Sequence, residues 1–487
     1  MQNPKFKTPL YAAFFCSLFL ISCTSSTPDL ESSLTQCPSQ ALPLTEVKLP
    51  LSASERASLE GKCIRIEGPL VATDVYQLGQ GNFTLSGNGL QYIPTEVVMP
   101  GPEAASLLES NRGFALPVYM PESMADPKLL ASGTPVDQIT GVVTHDGRDI
   151  RVSLQSISTN SSASFTPPRA VTEDSLRIVG MNLHNYFNGD GRGSGFPTPR
   201  GAETLEDFQH QRERIGAAIE VLDPHLIAVM ELENDGFGAD SAARDFIQLA
   251  NNATDSNWAV TRPAGDNTGT DQIAVAMFYS SDRLAAIGPA LTLTGPEFEL
   301  SRQPQAQLFR QLPRGGNILI VINHLKSKGS CPDSGHDADQ KDGQGCWNPM
   351  RKASAEKMTA WAKEVAALSG TDNILILGDM NAYRNEDPIE AIRKAGFTEL
   401  IEEQPGEQKP GDKKQERYHS FVYYGQHGTL DYAFSSPALL GKVQRAFIWN
   451  VNTNFPAYME LPRPWLRFSD HDPVVVDLSL RQSNTSD

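Results

Sequence analysis

The chain has 487 residues, 39% of them hydrophobic and 20% charged, and its 58 acidic against 41 basic side chains give a formal net charge of −17. This length exceeds one ordinary core and predicts two domains plus a processed N-terminus. The acidic balance disfavours a protein that holds nucleic acid by general attraction to phosphate, although a bound cation would offset it locally. The sequence has no P-loop and no G-x-S-x-G motif, which excludes the nucleotide triphosphatases and serine hydrolases built on them.

The N-terminal segment 1–22 has the form of a signal peptide. Two lysines precede an apolar run from Leu10 to Ile21 that is too short to span a bilayer comfortably. The run stops just before Cys23 in a pattern that resembles a bacterial lipoprotein box, with Cys23 as the lipidated residue. An ordinary secretory signal and an uncleaved anchor are the alternatives. We expect an exported protein, lipid-anchored at the cell envelope or its outer surface or else secreted, with a flexible tether over 23–43.

Four cysteines remain once the signal peptide and the lipidated residue are set aside, which is an even number in an oxidising compartment. Local pairing predicts two disulfides, Cys37–Cys63 and Cys331–Cys346. No CxxC motif or Cys/His spacing predicts a zinc site. The loop between Cys331 and Cys346 carries the acidic run DADQKDGQG, which makes it a candidate structural Ca²⁺ loop.

Residues 44–157 contain short runs that alternate apolar and polar side chains, interrupted by one helical stretch, PEAASLLESN. Short strands with a single helix predict a small β-barrel such as an oligonucleotide-binding (OB) fold, and any other small β domain is the alternative. The aromatic side chains that such a barrel could offer to a nucleic-acid strand are few: Tyr76, Phe83 and Tyr92. A linker rich in Ser, Thr and Pro follows over 158–174.

Residues 175–481 alternate strand-like apolar runs with helical ones, which predicts a layered α/β catalytic domain before a short tail over 482–487. Polar motifs stand beside these apolar runs, among them NHLKSKG, GDMNAY and SDHDP. Strand ends deliver their side chains to one edge of a sheet, where carboxylates, an amide and two imidazoles could converge on a metal-bound phosphate. This set of side chains suits cleavage of a phosphodiester.

Six motifs, MNLHNYF, VMELEND, NHLKSKG, GDMNAY, TLDYAF and SDHDP, occur in the order found in the endonuclease/exonuclease/phosphatase superfamily. They most resemble its secreted bacterial DNase branch, which is related to deoxyribonuclease I, over about residues 175–480. The resemblance implies a four-layer α-β-β-α sandwich. It also implies a nuclease that uses Mg²⁺ or Mn²⁺ to hydrolyse DNA, with RNA left open as a second substrate.

The resemblance assigns metal binding to three residues. Glu231 and Asp470 match metal ligands, and Asn182 matches an asparagine that positions the metal or the phosphate. A hard divalent cation prefers such oxygen donors. His184 stands where some relatives carry an acidic residue, so the number of metal ions stays open.

The resemblance also assigns five catalytic residues. Asp379 would orient or deprotonate the attacking water, while Asn381 would hold a phosphate oxygen. His471, paired with Asp431, would transfer a proton or bind the transition state. His324 would protonate the leaving 3′ oxygen.

Four further residues, Lys326, Lys328, Asn348 and Arg351, match positions of this branch that contact the substrate's flanking phosphates. For the two lysines, ordinary solvated side chains are the alternative. The other histidines that we assign no role are predicted to be surface or structural residues: His145, His210, His225, His336, His419 and His427.

Two other functions stay open. The same fold could cleave sphingomyelin, an inositol phosphate or another phosphodiester, with the segment WNVNTNFPAYMELPRPW as the candidate for a membrane-facing apolar hairpin. Alternatively, the chain could be a surface binding protein that kept the fold without activity, although the intact set of site residues speaks against this. No obligate protein partner is evident from the sequence.

Overall fold

The computed structural model describes residues 37, 44–121, 124, 130–145, 149–159, 165–401 and 418–481. The predicted signal peptide, the predicted lipidation site Cys23 and the C-terminal tail lie outside the described residues, and so does the predicted tether apart from Cys37. Within the described part of the chain, no helix combines the length and apolar character needed to cross a membrane. The structure joins Cys37 to Cys63 and Cys331 to Cys346, with Cα–Cα distances of 5.6 and 5.5 Å.

The N-terminal region is built mainly of strands. They are β1 (Thr45–Glu46), β2 (Cys63–Asp74), β3 (Asn82–Ser86), β4 (Gln91–Tyr92), β5 (Ala115–Tyr119), β6 (Pro135–His145) and β7 (Ile150–Ser158). The helices are α1 (Ala53–Ala57), α2 (Pro94–Val97) and α3 (Pro102–Phe114). Five strands close into a ring in the order β2-β3-β5-β7-β6, because β6 pairs with β2 as well as with β7. Buried side chains such as Ile66, Leu85 and Val152 fill this barrel.

The second region alternates strands and helices. Its strands are β8 (Leu176–Tyr186), β9 (Leu226–Glu233), β10 (Trp258–Val260), β11 (Ile273–Ser280), β12 (Leu284–Thr292), β13 (Gln305–Gln311), β14 (Asn317–His324), β15 (Ile374–Asp379), β16 (Thr398–Glu399), β17 (Phe421–Tyr423), β18 (Gln426–Gly428), β19 (Asp431–Ser435), β20 (Val443–Ile448) and β21 (Val474–Leu478). Its helices are α4 (Leu205–Leu222), α5 (Ala242–Ala253), α6 (Asn348–Leu368), α7 (Asp387–Lys394) and α8 (Pro437–Leu440). Short 3₁₀ turns occur at Leu78–Gln80, Ala264–Asp266 and Pro296–Phe298.

Most of these strands form two six-stranded sheets, ordered β10-β11-β9-β8-β21-β20 and β12-β13-β14-β15-β19-β16. Alternate side chains of β15 enter different cores. Leu375 and Leu377 join a cluster shared by both sheets, whereas Ile374 and Ile376 join a cluster with α6 and α7. Strands that are buried on both faces have continuous apolar runs in their sequence. Burial of each large aliphatic side chain contributes about 1.5–3 kcal/mol to the stability of the fold.

The strand register brings the polar motifs to one edge. β14 runs parallel to β15 with His324 opposite Asp379, and β15 runs antiparallel to β19 with Asp379 opposite Asp431. In the other sheet, β8 and β9 are parallel, and the antiparallel β21 begins beside Gly180 of β8. The carboxyl ends of the parallel strands and the starts of their antiparallel neighbours therefore lie at the same edge.

A small third sheet joins the two regions, because β4 of the N-terminal region pairs with β18, which pairs with β17. Buried polar contacts reinforce this junction. Thr95 Oγ1 donates to Glu386 Oε1 at 2.8 Å, and Arg384 Nε contacts Glu96 Oε1 at 3.2 Å. Both carboxylates are completely buried. Buried polar groups must keep their partners in a fixed geometry, so these contacts hold the two regions together at the junction.

Candidate active site

His471 and Asp431 form a buried pair at the shared sheet edge. His471 Nδ1 lies 2.7 Å from Asp431 Oδ2, and Ser420 Oγ donates to the same oxygen at 2.7 Å. Burial acts to lower the pKa of His471, but the attraction and hydrogen bond of Asp431 outweigh it and raise that pKa well above its ordinary value. The imidazole is therefore held as a cation, with its Nε2 left to act on a substrate.

His324 lies between two carboxylates yet has the opposite character. Its Nε2 is 3.3 Å from Asp379 Oδ2 and 3.9 Å from Glu231 Oε1. Burial, followed by the charge of Arg302, lowers the pKa of His324 well below its ordinary value. The site thus contains two imidazoles whose environments favour different protonation states, a pattern typical of acid–base centres.

Two polar residues of the site have a backbone conformation that residues other than glycine rarely adopt. Glu231 and Asn381 both have positive φ angles, 62° and 48°. Asp379 Oδ1 accepts a hydrogen bond from the Asn381 N–H at 2.8 Å, and Asn182 Nδ2 donates to Glu231 Oε1 at 3.3 Å. Non-glycine residues at positive φ cost about 1–3 kcal/mol and cluster at functional sites.

Gly378, which precedes Asp379, has φ 143°, and a Cβ atom there would lie 2.0 Å from the Asn323 carbonyl oxygen. Only glycine allows β14 and β15 to approach so closely at their ends. The glycine of the GDMNAY motif therefore sets the position of the aspartate that follows it.

Asp470 lies on the open side of the site. Its Oδ1 is 3.9 Å from His184 Nδ1. Burial acts to raise the pKa of Asp470, but the charges of His184, His471 and Arg467 outweigh it, so the pKa is lowered and the carboxylate stays ionised. An imidazole, His184, thus stands beside Asp470 where some relatives carry an acid.

The four predicted phosphate-contacting residues have intramolecular partners. Lys328 Nζ donates to Gln344 O and Glu386 Oε2 at 2.6 and 2.5 Å, and burial lowers its pKa to about 8. Arg351 is fully buried, and its guanidinium donates to the carbonyls of Lys326 and Gln344.

Asn348 Nδ2 donates to Asp387 Oδ2 at 2.9 Å, and Lys326 Nζ lies 5.2 Å from the centre of the Trp347 ring. Lys326, Lys328 and Arg351 donate to carbonyls of the loop that precedes α6, whereas Asn348 joins α6 to α7. Their contact with substrate phosphates stays a prediction.

Two residues near the site, Arg302 and Phe421, were not predicted from the sequence. Arg302 is 7% exposed, donates to Leu325 O at 2.7 Å and lies 3.8 Å from Asp271 Oδ2. Phe421 packs against the His471 ring, with a centroid distance of 4.7 Å. Arg302 precedes β13 in a short polar stretch, so only the tertiary fold brings it to the site.

The histidines without an assigned role divide into two groups. His145, His210 and His336 are exposed, whereas the remaining three, His225, His419 and His427, are buried. The Nδ1–H of His427 donates to Gln91 O at 2.9 Å, which places this histidine in the junction with the N-terminal region.

The paired sheets and this cluster of ionisable groups define a hydrolytic centre. The chain belongs to the endonuclease/exonuclease/phosphatase family, whose model matches residues 186–471. Members of that family are hydrolases and are usually metal-dependent. No curated protein matches the sequence.

Solved structures with similar folds share little sequence with this chain. The human Nocturnin catalytic domain is 15% identical with a TM-score of 0.42, and the match covers 64% of this chain and 96% of that one. An endonuclease/exonuclease/phosphatase from Bacteroides vulgatus is 16% identical with a TM-score of 0.40, covering 63% and 99%. A mannosyl-6-phosphatase from Bacteroides thetaiotaomicron is 16% identical with a TM-score of 0.40, covering 62% and 98%.

The side chains present fit a divalent cation. Ligand-type atoms of Asp379, Asp431 and His471 lie within 4.8 Å of one another, and Asp431 Oδ1 is buried without a hydrogen-bond partner among the described residues. However, His471 Nδ1 is already engaged by Asp431. We therefore favour the oxygen donors around Glu231 and Asp470 as ligands, because a hard cation prefers carboxylates.

Proposed function

We propose that the chain is a divalent-metal-dependent phosphodiesterase of the deoxyribonuclease I-like branch that hydrolyses DNA, with RNA as a second candidate substrate. The observation that carries this proposal is the meeting of Glu231, Asp379 and two imidazoles, His324 and His471, at one sheet edge. Residues far apart in the sequence would not converge in this way if each had only a local structural role.

Mg²⁺ or Mn²⁺, held by Glu231 and Asp470 with Asn182 beside them, would polarise the phosphoryl group and offset its charge. Asp379 would accept the proton of the attacking water. The Asn381 amide uses one hydrogen on Leu325 O at 3.1 Å and has a second for a phosphate oxygen. These residues bind and orient the reacting groups for in-line attack.

We assign different roles to the two histidines. His471, whose Nδ1 is paired with Asp431 Oδ2 at 2.7 Å, would transfer a proton or stabilise the developing charge. His324, whose Nε2 lies 3.3 Å from Asp379 Oδ2, keeps the role expected from the resemblance, which is protonation of the leaving 3′ oxygen.

The finer structural and cellular expectations belong to the same proposal. The ring order of the barrel supports an OB-like domain, and core clusters between and outside the two sheets support a four-layer sandwich. We propose export with a lipid anchor at Cys23, no obligate protein partner, and DNA as the partner molecule. A structural Ca²⁺ ion in the Cys331–Cys346 loop stays a prediction, since Asp339 there already pairs with Lys341 at 2.8 Å.

The lipid-cleaving alternative has less support. In the segment considered as a membrane-facing hairpin, Trp449 and Phe455 are buried in the core beside α4 and α5, and Trp465 packs against the same cluster. Purified protein that cleaves sphingomyelin or phosphoinositide vesicles and leaves plasmid DNA intact would reject our choice in favour of that alternative.

The test is His471→Ala, assayed on supercoiled plasmid with Mg²⁺, with Mn²⁺ and with chelator. We expect cleavage to fall by about 10²–10⁴-fold, which is the usual contribution of a positioned acid or base. His336→Ala is the matched control, because His336 is exposed and outside the site. Unchanged turnover in folded His471→Ala protein would remove this histidine from the mechanism, and cleavage that survives chelation would remove the metal.

A further inference from the structure

A cleft of about 580 Å³ separates the barrel from the second region and reaches the candidate active site. Tyr76 and Arg151 line its barrel side, and His184 and Asp470 lie at its catalytic end. A second cavity, beside α4, contains Tyr76, His184 and Asp470 as well. The two cavities therefore meet next to the catalytic groups, and one of their walls is built by a different part of the chain from the catalytic residues.

Four tyrosines are the only exposed aromatic side chains among the described residues, and all four line these cavities. Tyr76, Tyr423 and Tyr424 line the cleft and are 40%, 54% and 81% exposed. Tyr458 lines the second cavity and is 64% exposed. Exposed aromatic rings gathered at one place on a protein mark a binding surface, since the other Phe, Trp and Tyr side chains that the structure describes are buried or half-buried.

The hairpin formed by β17 and β18 holds two of these tyrosines in position. Thr73 Oγ1, on the barrel, donates to Gly425 O at the hairpin turn at 2.6 Å. At the other end of β17, Phe421 packs on His471. The rings of Tyr423 and Tyr424 contact each other edge to face, with a centroid distance of 4.6 Å. The tyrosine pair is thus fixed both to the barrel and to the catalytic histidine.

Guanidinium groups accompany the rings. Arg467 lies 4.9 Å from the Tyr76 ring centre and lines both cavities. Arg151 enters the cleft from the barrel, and Arg200 and Arg214 line the second cavity. Asp74, Asp207 and Asp470 line the same cavities, so the four arginines give a lining of mixed charge on a chain with a net charge of −17.

We propose that this cleft binds the unpaired bases of a single-stranded nucleic acid and leads that strand into the catalytic centre. The inference deepens the proposed function and rests on it, because it names the form of the substrate. Aromatic rings stack on bases of any sequence, and nearby cations follow the phosphate backbone. The cleft has the size of a small-ligand pocket. A base can stack on one of these tyrosine rings only when that base is unpaired.

The test measures binding separately from cleavage. Fluorescence anisotropy of a labelled 15-residue oligothymidylate is recorded with the full chain in chelator, which stops hydrolysis. Each of Tyr423→Ala and Tyr424→Ala is expected to raise Kd by about 5- to 150-fold, the usual effect of losing one stacked ring. Tyr424→Phe keeps the ring and is expected to keep the affinity. Leu368→Ala is the control, because Leu368 is 90% exposed at the end of α6.

We expect a duplex of the same length to bind more weakly than the single strand. The same measurement with labelled oligouridylate shows whether RNA binds at this site. Equal affinity of wild type and the two alanine variants for the single strand would overturn the inference. So would tyrosine-dependent binding to anionic phospholipid vesicles with unchanged oligonucleotide affinity, which would assign the rings to a membrane surface.

The proposed function is tested independently by wild-type hydrolysis of bis(p-nitrophenyl) phosphate with Mg²⁺, which offers no base to stack. If this hydrolysis is absent while ring-dependent strand binding persists, the catalytic proposal fails and the binding site stands. If hydrolysis is present and the ring variants bind normally, the binding site fails alone.

Discussion

The pairing of Asp431 with His471 gives a sharp quantitative prediction for Asp431→Asn. Asparagine has the same shape, so the hydrogen bond to Ser420 can persist, but the negative charge that holds the imidazolium is lost. Hydrogen bonds to charged groups contribute about 1.5–3 kcal/mol, which corresponds to about 10- to 150-fold in rate. Loss of the correct tautomer adds to this, and we expect metal-dependent turnover to fall by at least about 100-fold.

The assay is hydrolysis of bis(p-nitrophenyl) phosphate and nicking of plasmid, each normalised to the folded fraction measured by circular dichroism. Asp477→Asn is the matched control. Asp477 is also a buried carboxylate, paired with Arg177 at 2.8 Å, but it lies on β21 of the other sheet and away from the catalytic edge. That variant should lose stability while its folded molecules keep their turnover. A less than tenfold loss in Asp431→Asn would refute the reasoning that the carboxylate sets the state of His471.

Two further predictions concern stability. Gly378→Ala should lower the free energy of unfolding by about 2–4 kcal/mol in urea titrations, because the added Cβ would lie 2.0 Å from a carbonyl oxygen. Gly441→Ala is the control and should leave the free energy of unfolding unchanged, because there is open space around Gly441. Similar unfolding midpoints for the two variants would contradict this prediction. Burial raises the pKa of Glu96 to about 7. The folded state then holds a proton that the unfolded state has released, so this contribution to stability is present below about pH 4.5 and is lost as pH rises to about 7. Glu96→Gln should remove that dependence, and melting curves of the two proteins that shift in parallel between about pH 5 and 8 would contradict it.

Long apolar runs made much of the fold predictable. NILIVIN and NILIL form β14 and β15, and the motifs after them stand where these strands end. Helix α4 begins after Thr204, a residue type that favours helix starts. Thr204 Oγ1 accepts a hydrogen bond from the Asp207 N–H in a capping box. Local patterns of this kind depend only on neighbouring residues, which is why they can be recognised without the tertiary structure.

The parts that could not be predicted depend on contacts between distant segments. Strands β17 and β18 have three residues each, too few for an alternating pattern, and β18 pairs with β4 of the N-terminal region, which is distant in the sequence. The charge of Arg302 lowers the pKa of His324, and only the packing of a loop brings the two residues near each other. The opposite pKa shifts of His324 and His471 likewise come from burial and neighbours, which strand-end motifs do not reveal.

The small sheet that joins the two regions has a consequence for how the molecule unfolds. Removing residues 44–157 would remove β4, which pairs with β18, and the Thr95 hydroxyl that donates to Glu386. It would also reduce the support for β17, whose Phe421 packs against His471. We therefore expect the catalytic half to be less stable without residues 44–157. We expect barrel and catalytic half to melt in one cooperative transition, and the shortened chain to lose its chemistry even on substrates too small to touch the barrel.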